Sequence, residues 1–231
     1  MRLPRKNMKR GKKYAVVAEK IDKSKIYSVE EAIKIIKENK TAKFDEALEA
    51  HIKLAIDPKK GDQQVRGAVV LPNGTGKSRK IAVITSTKAA EAKEANADIV
   101  GGEEIIEKIK GNKIDFDVLV ATPEMMPKLA QVAKILGPRG LMPNPKTETV
   151  TVKIKETVGM LKKGKVDFKN DNTGNVHQIF GKISFEEGKL KENFESLLDS
   201  IKKSKPESVK GAFITGITIC STMGPGVKVS I

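Results

Sequence analysis

The stretch Lys43–Asp57, KFDEALEAHIKLAID, alternates between apolar and polar residues and limits the possible folds more than any other part of the chain. Successive side chains of a β-strand point to opposite faces, so this period of two predicts one long strand with one buried face. Burying that face requires a sheet packed on a hydrophobic core. The opposite face presents Glu49, His51 and Lys53, which we expect to meet a partner.

Charge indicates the class of that partner. The 231 residues carry a formal net charge of +15, with an isoelectric point near 9.7, which favours polyanions such as RNA, DNA or an anionic membrane surface. No run of about 18 apolar residues is present, so no membrane span is predicted. Residues 1–13 contain seven Lys or Arg residues and no acid, which predicts a disordered basic arm rather than a secretory signal.

The thiol and imidazole content predicts no metal or cofactor chemistry. Cys220 is the one cysteine, which excludes an internal disulfide framework and is typical of a reducing cytoplasm. We expect Cys220 to fill space in the core. Two histidines and one cysteine are too few for an obvious zinc site, so no metal and no cofactor are predicted.

The order of predicted elements indicates a two-domain α/β chain. A discontinuous α+β domain is predicted from both chain ends, residues 1–72 and 162–231, and a doubly wound, Rossmann-like α/β domain is predicted between them at residues 73–161. The end-built domain carries 30 basic and 18 acidic residues, whereas the insert carries 14 and 11. Most of the positive charge therefore belongs to the end-built domain.

Several local patterns predict individual elements. Ser28 and Glu31 form a capping-box signature at the start of a helix. The turn-rich residues 171–174 predict a β-hairpin between the strands that flank them. In the middle segment, residues 126–136 predict one amphipathic helix and residues 149–153 a short strand.

Two enzyme-like patterns are weak. The sequence Gly74-Thr-Gly-Lys-Ser78 resembles the end of a phosphate-binding loop, but Leu71 occupies the position of its first glycine and a strand is predicted after it. The carboxylates near the start of Lys43–Asp57 could indicate carboxylate catalysis. However, they alternate along an exposed strand, which is typical of a solvated face. A nucleotide-dependent enzyme using the α/β insert remains the alternative to an RNA-binding protein. A generic basic protein without sequence preference is a third hypothesis.

The aromatic content refines the RNA hypothesis. Only 4% of the residues are aromatic and none is Trp, which argues against binding single strands by base stacking. Structured RNA, recognised by its shape, phosphates and 2′-hydroxyls, fits better. Ser221 and Thr222, beside Gly224, suit such contacts. In the loop GPRGLMPNPK, Arg139 and Lys146 suit a phosphate, although turns held by its prolines and glycines are the simpler interpretation.

Four long motifs carry a family resemblance in order along the chain: KFDEALEAHIKLAID, GPRGLMPNPK, NVHQIFGKISF and STMGPGVKV. Together they resemble the bacterial family of the first-numbered protein of the large ribosomal subunit, located at the mobile stalk near the tRNA exit site. The resemblance implies a non-catalytic protein that binds the stalk of the large-subunit rRNA. It also implies that the protein assists release of deacylated tRNA and represses translation of its own mRNA.

The resemblance also implies site residues and partners. The implied RNA-binding residues are Phe44, Glu49, Lys53, Lys169, Lys182, Ser221, Thr222, Met223 and Gly224. Arg139 and Lys146 are implied in an RNA-facing loop of the insert. The implied partners are rRNA, the protein's own mRNA and tRNA, with no membrane, and we expect a monomer when the protein is free. Asn172 lies where the family often has lysine.

Overall fold

A computed structural model describes residues 11–22 and 24–230. Residues 1–10, which hold most of the predicted basic arm, lie outside the described residues. Lys12 and Lys13 are not part of a disordered arm, because they begin a helix, α1, that spans Lys12–Glu19. The sequence patterns did not predict this helix.

The described chain is a mixed α/β protein with several sheets, as predicted. The next elements are α2 (Val29–Glu38), β1 (Ala47–Leu54), β2 (Arg66–Val70), β3 (Ile81–Ile84), α3 (Ala89–Glu94), β4 (Ile99–Gly101), α4 (Glu103–Lys110) and β5 (Val118–Ala121). They are followed by α5 (Met126–Leu129), α6 (Ala133–Leu136), α7 (Ile154–Lys162), β6 (Lys165–Lys169), β7 (Asn175–Lys182), α8 (Glu187–Lys203), β8 (Ile214–Ser221) and β9 (Val227–Val229). Short 3-10 turns span Gly61–Gln63, Pro123–Met125, Ala130–Val132 and Pro145–Thr147.

Strand β1 lies inside an antiparallel sheet with the order β7-β1-β8-β9. The predicted alternation is confirmed, since Leu48, Ala50, Ile52 and Leu54 are all buried. The predicted length is wrong: the strand covers Ala47–Leu54 rather than Lys43–Asp57, because pairing with β7 and β8 extends no further. Both neighbours of β1 come from the C-terminal part of the chain.

The core beneath this sheet is built from both ends of the described chain. Helices α2 and α8 pack on the sheet, and their buried residues join those of β1, β7 and β8 in one hydrophobic cluster. The predicted capping box is confirmed. The Glu31 N–H donates to the Ser28 hydroxyl, and the Ser28 N–H donates to the Glu31 carboxylate, both at 3.2 Å.

The middle of the chain forms a separate parallel sheet with the order β4-β3-β5. Successive residues of β3 alternate between two hydrophobic clusters, one on each face of the sheet. Helices α4, α5 and α6 contribute to one cluster, and α3 and α7 to the other. Helices therefore cover both faces, as expected for strands that alternate with helices.

The predicted hairpin around residues 171–174 is wrong. The turn itself is present, because the Asp171 N–H donates to the Asn175 carbonyl at 2.8 Å and Gly174 has a positive φ. However, β6 pairs with β2 in a two-stranded sheet, while β7 pairs with β1. Among the described residues, one bridge, Asn170 to Val176, joins the two sides of the turn. The turn therefore passes the chain from one sheet to another.

Two predictions in the middle segment need correction. The predicted helix at residues 126–136 is divided into α5, a 3-10 turn and α6, although Leu129, Val132 and Leu136 are buried as expected. The predicted strand at residues 149–153 amounts to one bridge, between Ala121 and Val150. It cannot extend, because Thr149 belongs to the preceding turn and α7 begins at Ile154.

The segment Gly74–Ser78 is followed by strand β3, as predicted, and not by the helix that a phosphate-binding loop requires. Among the described residues, no helix is both long and apolar enough to cross a bilayer.

Candidate nucleic-acid interface

Glu46, just before β1, holds two remote segments together. Its side chain is fully buried, and its carboxylate accepts N–H bonds from Ala42 at 3.0 Å and from Met223 at 3.2 Å. Burial by itself raises the pKa of this carboxyl, but hydrogen bonds from the Ser221 hydroxyl and from backbone N–H groups outweigh that effect and keep the pKa below its usual value. Glu46 is therefore an ionised anchor for both segments.

The chain after β8 turns directly over the start of β1. The Thr222 N–H donates to the Ala47 carbonyl and the Ala47 N–H donates to the Thr222 hydroxyl, both at 3.1 Å. Ser221 is buried, so its side chain faces Glu46 rather than solvent. A side-chain Cβ at Gly224 would lie 2.5 Å from the Ser221 hydroxyl oxygen, so any other residue here would displace that hydroxyl.

Phe44 and Met223 are exposed beside each other although they are large and apolar. Their exposed fractions are 54% and 56%, and both line a cavity of about 550 Å³. Tyr14 of α1 lines the same cavity. Strand parity assigned Phe44 to the buried face, but Phe44 precedes β1, so the alternation does not reach it. The structure thus brings together residues from both ends of the chain.

The outer face of β1 presents Glu49, His51 and Lys53, as the alternation predicted. The nearest oxygen of Glu49 lies 4.0 Å from His51 Nε2, and Lys53 is exposed near the end of the strand. Burial, reinforced by the neighbouring His177, lowers the pKa of His51, and the Glu49 charge opposes this only in part. His51 is therefore neutral at neutral pH.

Cys220 does not fill the core as expected. It lies half-buried on the same outer face, with its sulfur 3.1 Å from His51 Nε2. Burial raises the pKa of its thiol to about 11, and the Glu49 charge adds to the shift. The thiol is therefore protonated at neutral pH.

Of the other two lysines predicted at the site, one lies close to it. Lys182, at the end of β7, is 3.8 Å from Asp45, the residue next to Phe44. Lys169 lies instead in the two-stranded sheet, opposite Arg66. The structure thus adds Lys182, but not Lys169, to the neighbourhood of Phe44.

The proposed loop of the middle segment is partly described. Arg139 is exposed, and its guanidinium donates to the Asn112 side chain at 2.9 Å. The side chain of Lys146 lies outside the described part of the structure, although its backbone belongs to the 3-10 turn Pro145–Thr147. Neither residue belongs to the sheet that holds Glu49 and Lys53.

Sequence reasoning missed the role of Glu46 and the pairing of the two histidines. The signal for Glu46 was present, because an acid at an even position of the alternation lies on the buried face and needs hydrogen-bond donors. His51 and His177 carried no such signal, since their Nδ1 atoms lie 2.7 Å apart only through the pairing of β1 with β7.

Comparison with known proteins supports the motifs that converge on this site. The family model described as "Ribosomal protein L1p/L10e family" matches residues 36–225, which include Phe44, the whole of β1 and the turn after β8. The chain belongs to the ribosomal protein L1p/L10e family. It is thus a member of a ribosomal protein family and not of an enzyme family.

Individual relatives of the L1p/L10e family match almost the whole chain. "Large ribosomal subunit protein uL1" of Mesoplasma florum is 56% identical over 212 residues, which is 91% of this chain and 93% of the relative. The proteins of that name from Mycoplasma capricolum and Mycoplasma mycoides are 53% and 52% identical over 220 residues, each 95% of this chain and 97% of the relative. The match extends well beyond the four motifs.

Proposed function

We propose that the protein is a non-catalytic component of the large ribosomal subunit in the cytoplasm that binds structured rRNA. The binding site is a composite surface made of Phe44, Glu49, Lys53, Thr222 and Met223, with Gly224 and Lys182 beside it. The observation that carries this proposal is the exposure of Phe44 and Met223 on one cavity, next to backbone that is hydrogen-bonded to the Glu46 carboxylate.

The chemistry of the composite surface suits a folded RNA. Exposed apolar side chains and a glycine-bearing turn allow close contact with a sugar–base surface, while Lys53 and Lys182 supply charge for phosphates. The net charge of +15 adds long-range attraction. Ser221 acts indirectly in this proposal, because its hydroxyl positions Glu46. Lys169 contributes charge from the neighbouring sheet.

In this proposal residues 1–72 and 162–231 form one domain, and residues 73–161 form the other. Its support is that the described ends share one hydrophobic cluster, whereas the parallel sheet has its own two clusters. The two chain segments that connect the proposed domains meet at this boundary. The Leu71 N–H donates to the Gly164 carbonyl at 3.3 Å, and Gly164 packs against the backbone of Gly74. In this proposal the end-built domain carries the RNA site, and the Rossmann-like insert presents Arg139 and Lys146 to a second RNA surface.

Membership in a ribosomal family, with relatives named as large-subunit proteins, supports a proposal of finer roles. We infer binding to the rRNA stalk near the tRNA exit site, help in releasing deacylated tRNA, and repression of the protein's own mRNA. One composite surface serves rRNA and mRNA if the two RNAs share a structure, so they should compete. The free protein acts as a monomer in this account.

A competition binding assay tests the proposal. The full-length chain is titrated with a stalk fragment of the large-subunit rRNA from the same cells, and the complex is challenged with an unrelated duplex of equal length or with the leader of the protein's own mRNA. We expect the leader to compete and the duplex to fail, with affinity falling steeply as salt rises. Equal competition by the duplex would contradict specific binding, and failure of the leader would contradict repression.

A further inference from the structure

The outer face of the four-stranded sheet holds a cluster of potential metal ligands. One ligand atom from each of Glu49, His51 and Cys220 lies within 4.8 Å of the other two. Glu49 and His51 are two residues apart on β1, and Cys220 lies opposite Glu49 on β8. The pairing of two strands therefore fixes all three side chains on one face. No sequence pattern indicated this site, because the third ligand beside the histidine and the cysteine is a glutamate.

A chain of hydrogen bonds orients the His51 ring. Asp171 lies 3.4 Å from Nε2 of His177, and His177 Nδ1 lies 2.7 Å from His51 Nδ1. If Nε2 of His177 carries the proton toward the carboxylate, its Nδ1 must accept, and His51 Nδ1 must donate. His51 Nε2 then presents a lone pair toward the Cys220 sulfur, 3.1 Å away.

Metal-binding histidines use the same arrangement, in which the second ring nitrogen donates to a carboxylate or another acceptor. Here His177 and Asp171 supply that acceptor chain. These hydrogen bonds favour the tautomer of His51 whose Nε2 can coordinate a metal.

The distances suit a small tetrahedral ion. With zinc–sulfur and zinc–nitrogen bonds of about 2.3 and 2.0 Å, tetrahedral ligand atoms lie about 3.5 Å apart. The sulfur–nitrogen separation of 3.1 Å and the oxygen–nitrogen separation of 4.0 Å bracket that value. Small side-chain rotations therefore bring all three ligands to one ion.

We propose that Glu49, His51 and Cys220 form a binding site for a divalent zinc-type ion, with His177 and Asp171 as positioning residues. Carboxylate, imidazole and thiolate together are a ligand set that zinc accepts, and three protein ligands leave a fourth position for water. The thiol releases its proton to solvent as the zinc–sulfur bond forms.

Cobalt(II) and zinc titrations of the full-length protein test this site. Under reducing conditions we expect one equivalent of cobalt to bind with thiolate-to-metal charge-transfer absorption, which requires Cys220, and zinc to displace it. Cys220→Ser and His51→Gln should lose this absorption and most of the zinc affinity. Glu187→Gln, which changes an exposed glutamate in the first turn of α8, should behave like the parent protein.

The role of the positioning residues is tested separately, by the zinc affinity of a His177 variant. His177→Gln should keep the thiolate absorption but bind zinc at least about tenfold more weakly, as is common when the partner of a ligating histidine is lost. Unchanged affinity in this variant would overturn the role of His177. The site itself would be overturned if the parent protein gave no thiolate absorption, or if Cys220→Ser, shown to be folded by circular dichroism, bound zinc like the parent.

Discussion

The Met223 N–H donates a hydrogen bond of 3.2 Å to the carboxylate of Glu46, a residue 177 positions earlier in the chain. The second oxygen of the same carboxylate accepts the Ala42 N–H at 3.0 Å. One buried anion thus joins the segment that carries Phe44 to the turn that carries Met223. The composite surface depends on this junction, because its two exposed apolar residues come from opposite ends of the chain.

Glu46→Gln should weaken the junction. A glutamine amide cannot accept both N–H bonds, so we expect the free energy of unfolding to fall by about 1–3 kcal/mol, as for a buried donor left unpaired. Chemical denaturation followed by circular dichroism measures the change. Glu49→Gln is the matched control, because Glu49 lies on the same strand, two positions beyond Ala47, but is partly exposed. We expect this change to alter the free energy of unfolding by no more than about 0.5 kcal/mol. Equal effects of the two changes would contradict the anchoring role.

The lowered pKa of Glu46 predicts part of the loss of folding stability at acidic pH. Its pKa is lower in the folded protein than in the unfolded chain, so the unfolded state binds the proton more readily. Its contribution to stability is therefore complete above the unfolded pKa, about 4.3 for glutamate, and is lost as the pH falls through the lower folded value. Between neutral and acidic pH, Glu46→Gln should lose less stability than the parent protein. Parallel stability curves would exclude this linkage.

Gly224→Ala should distort the turn after β8. The added Cβ would meet the Ser221 hydroxyl oxygen at 2.5 Å, and moving that hydroxyl disturbs its bond to Glu46. We expect a loss of about 1–3 kcal/mol in thermal or chemical unfolding, typical of overpacking. Gly216→Ala is the control, because a Cβ there meets nothing within 4 Å. Adding Ser221→Ala to Gly224→Ala should recover part of the loss, and strictly additive effects would contradict the clash.

Asn193→Leu should destabilise the junction of the two proposed domains. The fully buried Asn193 amide accepts the Asn73 N–H at 2.9 Å and donates to the Gly74 and Phe180 carbonyls at 2.9 and 2.8 Å. Leucine leaves these groups unpaired, so unfolding should require at least about 2 kcal/mol less free energy. Asn172→Ala, in an exposed turn, is the control. Similar stability of the two variants would show that Asn193 is dispensable.

Features encoded by neighbouring residues could be predicted from the sequence. The alternation in β1 identified its buried residues, and the Ser28–Glu31 spacing identified a helix start, since both depend on local geometry. Pairings between distant segments could not be predicted in this way. Composition around residues 171–174 indicates a turn, but whether β6 pairs with β7 or with β2 depends on strands far away in the sequence.

In the candidate site, too, local motifs could be read from the sequence, whereas contacts between distant segments could not. Family motifs identified Phe44 and Met223, but the motifs do not contain the reason that these residues meet. That reason is the Glu46 carboxylate, whose partners lie in two segments. The cluster of Glu49, His51 and Cys220 likewise exists only after β1 has paired with β8.

The most direct test of the composite surface compares two exposed methionines by measuring the affinity of the full-length protein for the stalk fragment of the large-subunit rRNA. Met223→Ala removes a side chain from the composite surface, whereas Met160→Ala removes one that is 40% exposed on α7. We expect Met223→Ala to weaken binding by about 1–3 kcal/mol, the scale of a lost interface contact, and Met160→Ala to bind like the parent protein. Equal affinities of the two variants would contradict the assignment of this surface to RNA.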